Sequence, residues 1–201
     1  MQITEQQRLE HNQAYEKAVA VVKNEILMHE RPNLPRPSWF LRRKLKHALS
    51  LFNRVLELDP ENWAAMWNVG KVHQRLGDNA TALSWFERAY QINPSQPDVA
   101  REASICAMEI GRHDAAIVFA HRSVQIKPNN AGFHANLALA YLLAGRISDA
   151  QASIERALAA DPSDTISRFI RDIIQHFIVN GRTPPTTGPA LDEYWRKNRT
   201  T

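Results

Sequence analysis

Residues 63–96 read WAAMWNVGKVHQRLGDNATALSWFERAYQINPSQ, and the same layout returns at 97–130 and again at 131–164. Pro60, Pro94, Pro128 and Pro162 stand 34 residues apart, as do Gly77, Gly111 and Gly145. A fixed period of this length marks a stacked-repeat architecture. Within each period apolar residues recur at three- and four-residue spacing, which is the helical pattern. Each repeat therefore reads as two helices. The glycine closes the first because it adopts the left-handed conformation without a Cβ clash. The proline lies beyond the second, which it cannot continue. Ser95, Asn130 and Asp164 are placed to cap the next first helix.

Numbered from Trp63, Pro97 and Ala131, position 8 is Gly70, Ser104 and Ala138, and position 20 is Ala82, Ala116 and Ala150. Position 24 is Phe86, Ala120 and Ile154, and position 27 is Ala89, Ser123 and Ala157. This resembles the tetratricopeptide repeat family, with Ser104 and Ser123 as departures in the second repeat. Small residues at positions 8, 20 and 27 let paired helices approach closely. The resemblance implies an all-α, right-handed superhelical solenoid. It has three full repeats (63–96, 97–130, 131–164), a divergent N-terminal repeat and a C-terminal capping helix at 165–179.

Working outward, residues 1–60 form the divergent repeat and 61–180 the repeats with their extra helix. Residues 47–60 read as its second helix, with Ala48 and Phe52 at positions 20 and 24. Before it, a long helix is expected from about Glu5 to Glu30, opened by a Thr4–Gln7 capping box, with Tyr15, Val19, Val22 and Ile26 in one stripe. A stiff proline-rich linker occupies 31–37, and Ser38 caps a helix that runs through Trp39 and Phe40 into 47–60. The helix at 165–179 is apolar over much of its circumference and needs cover. The Pro/Thr-rich tail, 181–201, carries an amphipathic patch of Leu191, Tyr194 and Trp195. That patch either folds back, docks on another molecule, or stays in a disordered tail. A homo-oligomer through this helix or tail is one expectation.

The net charge of +4 is unevenly placed: seven basic residues and no acid lie between Arg31 and Arg54, which leaves the rest of the chain at −3. No apolar run is long enough to cross a bilayer. The N-terminal stretch lacks the apolar centre of a secretory signal, so a cytoplasmic location is expected, and the Asn79 and Asn198 glycosylation sequons are read as chance. One cysteine, Cys106, excludes an intrachain disulfide and reads as a packed thiol. The eight histidines form neither HExxH nor any other metal spacing; they read as packed or surface residues. No phosphate loop and no nucleophile set is visible. Neither cofactor, metal nor catalytic activity is expected.

In the family, first-helix positions 2, 5, 6, 9, 12 and 13 line the inner face. Carried over, the candidate partner-binding groove comprises Trp67, Asn68 and Lys71 in the first repeat, Arg101, Ile105 and Met108 in the second, and Asn136, Leu139 and Leu142 in the third. One reading makes the leucines and Met108 a trough for a partner's side chains, with Trp67 as anchor and the asparagines on its backbone. The other packs them against neighbouring helices or under the chain's own tail. Relatives that clamp a chaperone's terminal carboxylate use Lys, Asn and Arg at set positions. Here Arg101 and Asn136 match, but Ile105, Ile166 and Ile170 cannot donate, so that clamp is absent.

The function expected is therefore protein–protein recognition by an adaptor, chaperone or assembly factor holding a peptide or helix. In size and layout the chain is similar to small three-repeat chaperones of bacterial secretion systems. The alternative is nucleic-acid or anionic-membrane binding through Trp39 and Phe40 with Arg42, Arg43, Lys44 and Lys46. Against that alternative, Trp39, Leu45, Leu49 and Phe52 are expected to pack inward and leave the basic residues merely solvated.

Overall fold

The computed structural model describes residues 4–23, 25–26 and 35–198. Among these run helices and no strand: α1 (Glu5–Val22), α2 (Trp39–Leu58), α3 (Trp63–Leu76), α4 (Asn79–Ile92), α5 (Pro97–Glu109), α6 (His113–Ile126), α7 (Ala131–Leu143), α8 (Ile147–Ala160), α9 (Thr165–Asn180) and α10 (Gly188–Asn198). They form the expected all-α solenoid of repeated hairpins. The chain divides into two compact units, Met1–Pro94 and Ser95–Thr201.

In the first unit α1 pairs with α2 and α3 with α4. The capping box forms: the Gln7 amide donates to Thr4 Oγ1, and the Thr4 amide donates to Gln7 Oε1. Ser38 caps α2 by accepting from the Leu41 amide. The apolar stripe of α1 (Ala14, Ala18, Val22) buries against Leu45, Ala48, Phe52 and Val55 of α2 and Ala65, Val69 and Val72 of α3. The Tyr15 ring meets Phe52 edge-on at 6.1 Å. α1 is shorter than its sequence suggested. It ends at Val22, and Ile26 reaches the core from a turn beyond it. Of the expected helix, Asn24 and 27–30 lie outside the described residues, as do linker residues 31–34. Residues 35–37 of the linker are tied down: Arg75 Nη1 donates to the Pro35 carbonyl at 3.0 Å, and Arg42 Nε to that of Pro37 at 3.2 Å.

Between α3 and α4, Gly70 explains why position 8 is small. A Cβ there would lie 2.6 Å from Phe86 Cε1, and the Phe86 ring is fully buried. The helices thus meet backbone to ring, which any side chain would prevent.

In the second unit the same hairpin recurs as α5–α6 and α7–α8, followed by α9. Gly111 and Gly145 each take φ of 73°. The Arg112 amide reaches the Ala107 carbonyl and the Arg146 amide that of Tyr141, closing α5 and α7 in the Schellman manner. Asn130 and Asp164 cap α7 and α9 as expected. Ser95 does not cap α5. The residue before that helix is Gln96, which makes no side-chain cap bond, because Pro97 takes the first helical position. Ser104, the departure at position 8, is fully buried and satisfied: it donates to the Ala116 carbonyl (2.9 Å) and accepts from Asn136 Nδ2 (3.1 Å). Ser123 donates to the Ala120 carbonyl within its own helix. Cys106 is buried. The tail is no mere linker. Gly181 ends α9 in the left-handed conformation, and residues 188–198 form α10.

The candidate partner-binding face

In the first unit, Trp67 is half-buried with Lys71 Nζ 6.0 Å from its ring centroid. The Lys71 side chain is buried, and its ammonium donates to Gln74 Oε1 at 2.9 Å. Asn68 donates to the Ala64 carbonyl at 2.8 Å and to Tyr15 Oη at 3.4 Å. Burial raises the Tyr15 phenol above its usual range. Beside Tyr15 opens a cleft lined by His11, Asn12, Glu16, Asn62 and Ala64. No sequence motif pointed to it, because it joins α1 to residues about fifty positions downstream.

In the second unit, Arg101 pairs with Glu102 (3.0 Å) and Asp98 (3.4 Å) and lies 6.0 Å from the centroid of Phe133. Ile105 and Leu139 are half-buried, whereas Met108 is 3% and Leu142 0% exposed. The Asn136 amide, expected to meet a partner's backbone, is instead engaged by Ser104.

The element lying against this face is α10. Its anchor Leu191 is buried. Trp195 meets Phe169 edge-on at 6.0 Å and His176 at 5.4 Å. Tyr194 packs on Phe177 at 5.2 Å, and its hydroxyl lies 2.9 Å from His176 Nε2 and 3.2 Å from Arg182 Nη1. At the other end, His113 Nε2 donates to the Thr186 carbonyl at 2.7 Å, and Gly188 comes up against Glu109. Phe169, His176, Phe177 and Glu109 fall at positions 5, 12, 13 and 13 of their repeats, all inner-face positions. Of the three fates open to the Leu191–Tyr194–Trp195 patch, folding back is the one adopted. Sequence reasoning did not single out Glu109 and His113 as parts of this face; the signal for Glu109 was its inner-face position 13, and His113 gave none beyond its place at the turn between α5 and α6.

Two further histidines make local contacts. His134 meets the Pro128 carbonyl at 2.7 Å, and His73 lies 3.5 Å from Asp78. Among the described residues no three His, Cys, Asp or Glu side chains gather as metal ligands, and no helix is long and apolar enough to cross a membrane.

The basic patch departs from the inward-packing reading. Leu45 and Phe52 are buried and Leu49 is half-buried, but Trp39 is 64% and Phe40 77% exposed. They stack edge-on at 4.9 Å at the start of α2, with the Arg43 guanidinium 5.9 Å from the Trp39 ring. The cause is register: Leu45, Ala48, Phe52 and Val55 claim the buried stripe, and Trp39 and Phe40 precede it. Arg42, Arg43, Lys44 and Lys46 are exposed, and Lys44 pairs with Glu25 at 3.2 Å.

Comparison with known proteins agrees with this architecture. Family models described as tetratricopeptide repeat match residues 42–97 and 107–167. The 131 kDa subunit of transcription factor tau from Saccharomyces cerevisiae is 31% identical over 61 residues, which is 30% of this chain and 6% of that protein's length. Among solved structures, a tetratricopeptide repeat protein from Parabacteroides merdae superposes with a TM-score of 0.69 at 15% identity, covering 86% of this chain and 61% of that one. MamA from Desulfovibrio magneticus gives 0.66 at 13%, covering 97% and 94%. YrrB, described as a tetratricopeptide repeat protein with an unusual peptide-binding site, gives 0.61 at 16%, covering 94% and 92%. With its 34-residue period, its glycine-closed hairpins and these matches, the chain belongs to the tetratricopeptide repeat family.

Proposed function

We propose that this chain is a protein–protein recognition module, an adaptor, chaperone or assembly factor, that receives a partner's peptide or helix on the inner faces of its hairpins and catalyses no reaction. One observation carries the reading: the inner face of the second unit already accommodates a helix, α10, by burying Leu191 and ringing Tyr194 and Trp195 with Phe169, His176 and Phe177. A face that takes one amphipathic helix has the shape and chemistry to take another. Proteins of the same fold support it by their descriptions. One is YrrB, with its peptide-binding site, and another is the first repeat domain of Spaghetti, solved bound to an HSP90 peptide.

The test is photo-crosslinking in cells with a photoreactive residue at Trp67 or Leu139, and at the exposed Val118 of α6 as control. Discrete protein adducts from the first two and none from Val118 are expected. Adducts from Val118 alone would move recognition off the inner faces.

A second reading is favoured by the exposed Trp39–Phe40 pair beside Arg42, Arg43 and Lys46. Two aromatic side chains at a helix end amid positive charge suit an anionic lipid surface or nucleic acid. Co-sedimentation with anionic vesicles and binding to an oligonucleotide, each at low and moderate salt, decide it. Binding to neither at low salt would end this reading.

A further inference from the structure

The docking of α10 is close but imperfect, and its faults are informative. Gly188 and Asp192, one helical turn apart, both face Glu109. Space there is so tight that a Cβ on Gly188 would run into the Glu109 carboxylate. Glu109 is half-buried and forms no ion pair among the described residues; the charge set against it is another carboxylate. Burial raises the Glu109 carboxyl, and Asp192 raises it further. The second fault is Trp195 Nε1, which is buried with no acceptor among the described residues. A buried donor left unmatched keeps the cost of its lost hydration without a compensating hydrogen bond. The remaining contacts fit well: Leu191 is buried, and the two aromatic rings pack on α9.

We propose that α10 is a displaceable stand-in for a partner helix that matches it in apolar anchors but carries a Lys or Arg where α10 has Asp192. Such a helix presents a small residue, then Leu three positions on, a cation at the fourth, and aromatics at the sixth and seventh. The cation would replace a like-charge contact with a charge-assisted hydrogen bond to Glu109, the stronger kind of polar contact. α10 persists in spite of its faults because it is tethered. Only Gly181–Thr187 separate it from the end of α9. A short tether holds a segment at an effective concentration on the order of millimolar. This inference rests on the inner face being the partner site, and it adds what the partner looks like.

The experiment uses labelled peptides of the 183–198 sequence, unchanged and with Asp192→Lys, titrated by fluorescence anisotropy. The receptors are the full chain and the full chain loosened by Leu191→Ala with Trp195→Ala. Both peptides should bind the loosened chain, the lysine peptide at least about tenfold tighter, and both should bind the unaltered chain more weakly. Adding Glu109→Gln to the loosened chain should erase the lysine advantage. Far-UV dichroism checks that the repeats survive, and Trp195→Ala alone serves as a milder receptor. Failure of both peptides on both loosened chains would overturn the proposal, as would a lysine advantage that outlasts Glu109→Gln. Those results would leave the crosslinking test of the inner faces standing on its own.

Discussion

Replacing Gly70 by alanine tests the packing that defines the hairpin. The added methyl would stand 2.6–2.9 Å from three carbons of the Phe86 ring, inside any real contact distance. Phe86 is fully buried and cannot swing into solvent, so α3 and α4 must part or the ring must leave its rotamer. Overpacking of this kind costs about 1–3 kcal/mol. Alanine also recovers about 1 kcal/mol of helix propensity over glycine. The net expectation is a loss of roughly 0–2 kcal/mol. The diagnostic quantity is the change of sign. In a Phe86→Leu background the obstruction shrinks, and Gly70→Ala should become neutral or stabilising by up to about 1 kcal/mol. Urea unfolding followed by tryptophan fluorescence on the four proteins of the cycle gives the coupling. Contact predicts a strong interaction between the sites, whereas effects that add within about 0.5 kcal/mol would refute it.

Other expectations rest on particular contacts. Ser104→Ala restores a residue usual for the family but strips the buried Asn136 amide of its acceptor, at a cost of about 1–3 kcal/mol; in that background Asn136→Ala should cost less than in the unaltered chain, and equal cost in both would show the bond to be unimportant. The Glu109 carboxyl is raised in the docked state by burial and by Asp192, so docking favours its protonated form. α10 should therefore hold best at low pH and loosen as pH climbs through the raised value. Glu109→Gln should slow amide exchange in 188–198 at neutral pH, and faster exchange would contradict the assignment. Trp39→Ala with Phe40→Ala should shift stability by no more than about 0.5 kcal/mol, because both rings face solvent; a larger loss in thermal unfolding would mean they pack.

Periodicity made the repeats legible because each glycine and proline has a local, context-independent effect. Gly77, Gly111 and Gly145 all adopt positive φ, each of the three expected repeats holds one helix pair, and α9 lies within one residue of its expected span. The register also identified Asn130 and Asp164 as caps. Local signals failed where tertiary geometry decides. α1 stops at Val22 although its apolar stripe continues to Ile26. Trp39 looked apolar enough to bury, yet the stripe of α2 begins at Leu45. At the site, the inner-face positions were readable from the repeat, but their use was not. That Asn136 serves Ser104, and that Glu109 faces Asp192, depend on elements 32 or more residues apart.

The most direct measurement is the set of nuclear Overhauser contacts made by the Trp195 indole in the full chain. Cross-peaks to the rings of Phe169 and His176 are predicted, at the 6.0 and 5.4 Å centroid separations of the docked helix. A Trp195 without those contacts, in a segment with narrow random-coil resonances, would remove the helix from the inner face and with it the foundation of the functional reading.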